Sequence, residues 1–153
     1  MSQTPPTIDL ATLTVDTVQE GFRNGSFTAE SLARACLAQI ETWNGRYNAI
    51  IFLNDEAIDD ARAIDRRRAA GEALGPLAGV PVVVKDPMDM VGFPTTAGWS
   101  LLHGKSGGVD LMPATDAPVV ARMRAAGAVI LGKTNVQVPV SYTHLRAHET
   151  RGN

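Results

Sequence analysis

The sequence predicts an α/β chain, with amphipathic helices first and part of a partly parallel sheet after them. Three observations point there: apolar residues at helical spacing through the first half, two short wholly apolar runs at 80–84 and 128–131, and helix-start signals between those runs. Apolar runs of that length, bounded by turn residues, read as buried strands. Strand, helix and strand in that order close a right-handed parallel crossover, so the two strands are expected in one sheet as near neighbours. With 153 residues, 44% of them hydrophobic, the chain can bury one domain's core.

A short helical pattern at 16–23 stops near Asn24-Gly25. The next helix has Thr28 as N-cap and Glu30 in its first turn. Leu32, Cys36, Leu37, Ile40 and Trp43 form one apolar stripe that ends at Asn44-Gly45. Residues 49–53 read as a short strand. Asn54 then caps a helix with Ile58, Ala61 and Ile64 inward and Asp59, Asp60, Arg62 and Arg66 outward. Arg66-Arg67-Arg68 suits a solvated helix end, where cations complement the dipole. A loop at 71–79 leads to the first apolar strand, and a long Gly- and Pro-containing segment follows it, of the kind that is usually functional. Thr115-Asp116-Ala117-Pro118 opens a helix with Val119, Val120 and Met123 inward, and Gly127 stops it before the second apolar strand.

Charge and cysteine content exclude some functions. A net charge of −2, from 14 basic and 16 acidic side chains, makes no case for nucleic acid or an anionic membrane. The single cysteine, Cys36, sits in a helical pattern as packing, which fits a reducing cytoplasm. The first ten residues lack the basic and apolar regions of a signal peptide, and no apolar run approaches the roughly 20 residues of a membrane span.

Lys85 is the candidate functional residue. It ends the run Val80-Pro81-Val82-Val83-Val84 and precedes Asp86. The carboxyl end of such a strand is where open α/β sheets place ligands. An ammonium leaving water there must find an anion or lose its proton, and neutral lysine is a general base. Asp86, Asp89 and Asp110 are the candidate ion-pair partners. A lysine acting as a base near pH 7 needs its pKa about 3 below the ordinary value of about 10.4, which is about 4 kcal/mol of differential solvation and bonding. That requires a complete, closed site.

Other motifs are set aside. Residues 127–134, GAVILGKT, satisfy the phosphate-loop pattern, but the residues between the glycines are the predicted strand and a helix precedes it, which reverses the required order. His103, His144 and His148 make no metal site by spacing: His144 and His148 are four apart, but no glutamate stands beside the first and there is no third ligand. There is no G-x-S-x-G elbow.

Four segments in order, GPLAGVPVVVKD at 75–86, GFPTTAG at 92–98, DAPVV at 116–120 and RAAGAVILGKTN at 124–135, resemble the N-terminal part of the amidase signature family. The likeness covers about residues 10–140, with the helical N-terminus similar in style only. It implies an α/β/α amidase fold, here incomplete and with a mixed sheet, and a hydrolase using a Ser, cis-Ser, Lys triad. Lys85 matches the catalytic lysine. The resemblance further implies a small-molecule amide substrate and no metal or organic cofactor. Neither nucleic acid nor membrane is implied as a direct partner, and a homodimer of the full-length parent is compatible with it.

Two features depart from the family pattern. Trp99 stands where many relatives have serine. Residues 141–153, SYTHLRAHETRGN, replace the Gly/Ser-rich segment that carries both serines in the family, and look like a translated vector or adapter. The expectation is therefore an amidase portion at 1–140 with a non-homologous tail at 141–153, Ser141 being no nucleophile. Such a piece is expected to be inert, with Lys85 nearer water. Two alternatives are the amidase subunit of a tRNA-dependent amidotransferase and a short non-catalytic ligand-binding protein.

Overall fold

The computed structural model describes residues 8–136. Helix α1 (Val15–Asn24) starts at Thr14, whose Oγ1 accepts from the Thr17 N–H while Thr17 Oγ1 accepts from the Thr14 N–H; it ends at Gly25 with φ 74°. Helix α2 (Ala29–Tyr47) repeats this box between Thr28 and Ser31. Asp65, on helix α3 (Ala57–Ala69), adds a second cap by accepting from the Ala29 and Glu30 N–H groups at 2.9 Å each. Side chains thus satisfy the first-turn donors that a helix leaves unpaired.

Leu32, Cys36, Leu37 and Ile40 face the core as the stripe predicts. Two details of α2 differ from expectation. Trp43 is 47% exposed, its indole N–H donating to Gln39 Oε1. The helix also runs through Asn44-Gly45 to end at Asn48, φ 47°. Asn44 does not stop it because its amide holds both backbone groups of Ile50 at 2.8 Å, bracketing the turn into the first strand.

Strands β1 (Ile50–Leu53), β2 (Pro81–Lys85) and β3 (Val129–Thr134) form one mixed sheet in the order β1-β3-β2. Strand β2 lies parallel to β3, joined by a crossover through helix α4 (Pro118–Ala125), and β1 is antiparallel to β3. Helices α1, α2 and α3 cover one face, where Val18, Phe22, Leu32, Ile64, Val129 and Leu131 pack. On the other face Val84, Met90, Val120 and Ile130 form a smaller cluster under α4.

Three further expectations are corrected. The apolar run of β2 predicts burial on both faces, yet Val83 is 43% exposed, because β2 is an edge strand and this part of its outer face is uncovered. Asn54 is not the N-cap of its helix, which is Glu56, without a side-chain cap bond; α4 opens at Pro118 as its start signals predict. Asn54 instead ties the start of α3 to β3, accepting from Glu56 N–H and donating to the Ile130 carbonyl at 2.8 Å. Asp116 accepts from Val91 N–H and pairs with Arg124. Arg68 is not a solvated helix end: its guanidinium stacks 4.6 Å from the Phe22 ring centre and donates to the Ala78 carbonyl.

One irregularity decides the site's geometry. Val82 pairs with Ile130 and Val83 with Gly132, so Leu131 is skipped in the β2–β3 register. An extra residue reverses the alternation of the strand beyond it. Lys133 therefore lies opposite Val84, on the α4 face, and not with Val129 and Leu131 under the helices. Gly132 permits the bulge, since a Cβ there would collide with the Phe52 carbonyl oxygen.

Candidate active site

Lys85 closes β2 and is exposed, its Nζ donating to the Asn135 carbonyl at 2.7 Å. It stands on an open cleft with Tyr47, Asn48, Gly98, Thr134 and Val136. Its exposure agrees with the expectation that in this chain Lys85 stands nearer water than in a closed site. The expected carboxylate partners are engaged elsewhere: Asp86 faces Lys133, Asp89 accepts from Thr95 Oγ1, and Asp110 accepts from Gly104 N–H. Among the described residues no ion pair reaches Lys85.

A second cleft adjoins the first, sharing Asn48, Gly98 and Asn135 with it. Its walls include Phe52, Trp99 and His103. His103 Nδ1 is 2.9 Å from Ser106 Oγ, and its ring meets Phe52 edge-on at 5.3 Å. His144, His148 and Ser141 lie outside the described residues, and no group of metal-ligating side chains assembles among those described. The phosphate-loop lookalike contributes Gly132, Lys133 and Thr134 to strand β3 itself.

Sequence reasoning missed the buried counterpart of Lys85. Lys133 and Asp86 are both fully buried, with Nζ 3.5 Å from the carboxylate. Lys133 also donates to the Pro94 carbonyl at 2.7 Å and to Thr95 Oγ1 at 3.2 Å. Burial pushes this ammonium below the ordinary lysine range, and Asp86 opposes that shift without cancelling it. Asp86 in turn accepts from Thr96 Oγ1 at 2.8 Å and Thr96 N–H at 3.3 Å. The available signal was an aspartate two residues beyond a buried valine in β2. Plain alternation along β3, however, assigns Lys133 to the opposite face.

Residues 31–143 match the amidase family profile. The chain belongs to the amidase signature family. It is 44% identical over 129 residues to a Salinispora arenicola protein named as a glutamyl-tRNA(Gln) amidotransferase subunit, covering 84% of this chain and 25% of that one. A protein of the same name from Streptomyces coelicolor is 40% identical over 129 residues, with the same coverage. Among solved structures, the peptide amidase of Stenotrophomonas maltophilia superposes with a TM-score of 0.75 at 32% identity, covering 85% of this chain and 26% of that one. A bacterial aryl acylamidase of the amidase signature family superposes at 0.73 with 26% identity, covering 82% and 26%. The chain spans about a quarter of the length of these relatives. The four α-helices and mixed three-stranded sheet of the described residues are thus a portion of the amidase fold. The family match ends at residue 143, three residues past the boundary expected at 140.

No described helix is long and apolar enough to cross a membrane. Cys36 is partly buried, and burial pushes its thiol up, which suits a packing role over a reactive one.

Proposed function

We propose that this chain supplies the lysine corner of an amide-hydrolysing site, with Lys85 as the terminal base of a Ser, cis-Ser, Lys triad. The observation that carries the proposal is placement. Within the family motif at 75–86, Lys85 alone of the motif's residues combines an amine with an open cleft at a strand's carboxyl end. The exposed face at Val83 and the free edge of β2 are suited to receive further chain.

In the parent site the nucleophilic serine oxygen adds to the amide carbon while its proton passes through the bridging serine to Lys85. The proton then leaves with ammonia or an amine, and water releases the carboxylate and restores the serine. This scheme uses a small amide substrate and no metal or organic cofactor. The single cysteine suits a cytoplasmic parent. A homodimer of that parent is compatible with the proposal.

These 153 residues contain no Gly/Ser-rich segment to provide the serines, so the chain tested as it stands releases no ammonia from a simple amide. Release that is lost in Lys85→Ala would refute this inertness. Reading the source gene past codon 140 is expected to continue into a Gly/Ser-rich segment. In the protein so encoded, Lys85→Ala abolishes ammonia release; turnover that survives the substitution would refute the role of Lys85. The names of the curated relatives support a second reading, the amidase subunit of a tRNA-dependent amidotransferase. Co-purification of the longer protein with a tRNA-binding subunit would be its mark.

A further inference from the structure

One ion pair and two hydrogen bonds link the buried face of the sheet to the wall of the Lys85 cleft. Lys133 Nζ lies 3.5 Å from Asp86, Asp86 accepts from Thr96 Oγ1 at 2.8 Å, and Thr96 Oγ1 accepts from the Gly98 N–H at 3.1 Å. Gly98 lines the cleft that holds Lys85. Between them Ala97 has φ 48°, a left-handed conformation that costs a residue with a Cβ and persists where its surroundings impose it. The Trp99 N–H closes the same turn on the Thr96 carbonyl at 2.9 Å.

The geometry points to Lys133, Asp86 and Thr96 as positioning residues that clamp the strained 96–99 turn against the Lys85 cleft. Three features favour a clamp over incidental packing. Asp86 is the chain neighbour of Lys85, and its N–H continues the β2 ladder to the Thr134 carbonyl at 3.1 Å, so it is fixed with respect to that lysine. A buried charged pair is a poor source of net stability compared with apolar packing, so its presence calls for a geometric role. The bonds from Lys133 to Pro94 and Thr95 hold the segment just before the turn as well. This inference rests on the reading of Lys85 as the functional amine, but it is tested without turnover.

The test is made on the 153-residue chain with Thr96→Val, which removes the hydroxyl link and keeps the shape, and Thr96→Ser, which restores the hydroxyl. Amide hydrogen exchange is followed at Gly98, and acylation of Lys85 is measured relative to Lys105, an exposed internal reference. In Thr96→Val, Gly98 exchange is expected to rise about tenfold and the Lys85 to Lys105 ratio to increase about threefold, the range one hydrogen bond supports. Thr96→Ser should return both to wild type. The inference is overturned by a Thr96→Val chain that changes only its melting temperature, or by a Thr96→Ser chain that fails to recover. A wild-type chain whose Gly98 exchanges at the rate of unstructured backbone also overturns it. Loss of the amidase role for Lys85 would leave the Gly98 exchange results standing, so the two failures are told apart.

Discussion

Lys85 and Lys133 lie on adjacent parallel strands, in neighbouring registers, and meet opposite environments. Lys85 ends the edge strand β2 and stands on an open cleft, with one backbone carbonyl as its partner among the described residues. Lys133 is held inside by a carboxylate, a carbonyl and a hydroxyl in the central strand β3. The contrast shows that a lysine at the end of an apolar run is not thereby buried. Strand order and one bulge decide which amine meets water. The open lysine is available for chemistry, and the closed one can only hold parts in place.

The largest test of this contrast is Lys133→Met, which leaves the Asp86 carboxylate buried without its cation. It is expected to cost about 3 kcal/mol or more in chemical unfolding. Adding Asp86→Asn should recover part of that loss, with a coupling of about 1–3 kcal/mol, because the asparagine oxygen can still accept from Thr96. Strict additivity would mean that the two side chains do not act as a pair.

A smaller effect is expected with pH. Burial depresses the Lys133 ammonium below its ordinary value of 10.5, so between the depressed value and 10.5 the unfolded chain binds more protons than the folded one. The contribution of Lys133 to stability therefore rises with pH through that window and levels off above it. The difference between wild-type and Lys133→Met unfolding free energies should show this rise, and a flat difference curve would contradict the burial.

The smallest effect belongs to Lys85→Ala. An exposed side chain with one carbonyl contact should change stability by no more than about 0.5 kcal/mol. A larger loss would mean that Lys85 is part of the core architecture, and the contrast between the two lysines would fail.

Much of the fold was legible because it rests on local periodicity and local caps. The stripe through Leu32, Cys36, Leu37 and Ile40, the Thr28 cap, and the strand, helix, strand order that makes β2 and β3 parallel neighbours all follow from short-range pattern. Elements were misjudged where a side chain spends its hydrogen bonds across the fold. Asn44 holds Ile50, Asn54 reaches Ile130, and Arg68 stacks on Phe22, so none of them fills the local role its position suggests. In the candidate site, the place of Lys85 at the end of β2 was legible from its apolar run. The Lys133 to Asp86 pair was not, because the Leu131 bulge breaks the alternation from which a facing partner would be inferred.

The most direct test of the central contrast uses the chain's own three lysines, Lys85, Lys105 and Lys133, as reporters in one sample. Brief acylation of the native chain with a limiting amine-directed reagent, followed by peptide mass spectrometry, gives their relative rates. The structure predicts that Lys85 and exposed Lys105 react within about tenfold of each other while Lys133 is protected at least about a hundredfold, a difference abolished in denaturant. Native Lys133 reacting as readily as Lys85 would contradict the account.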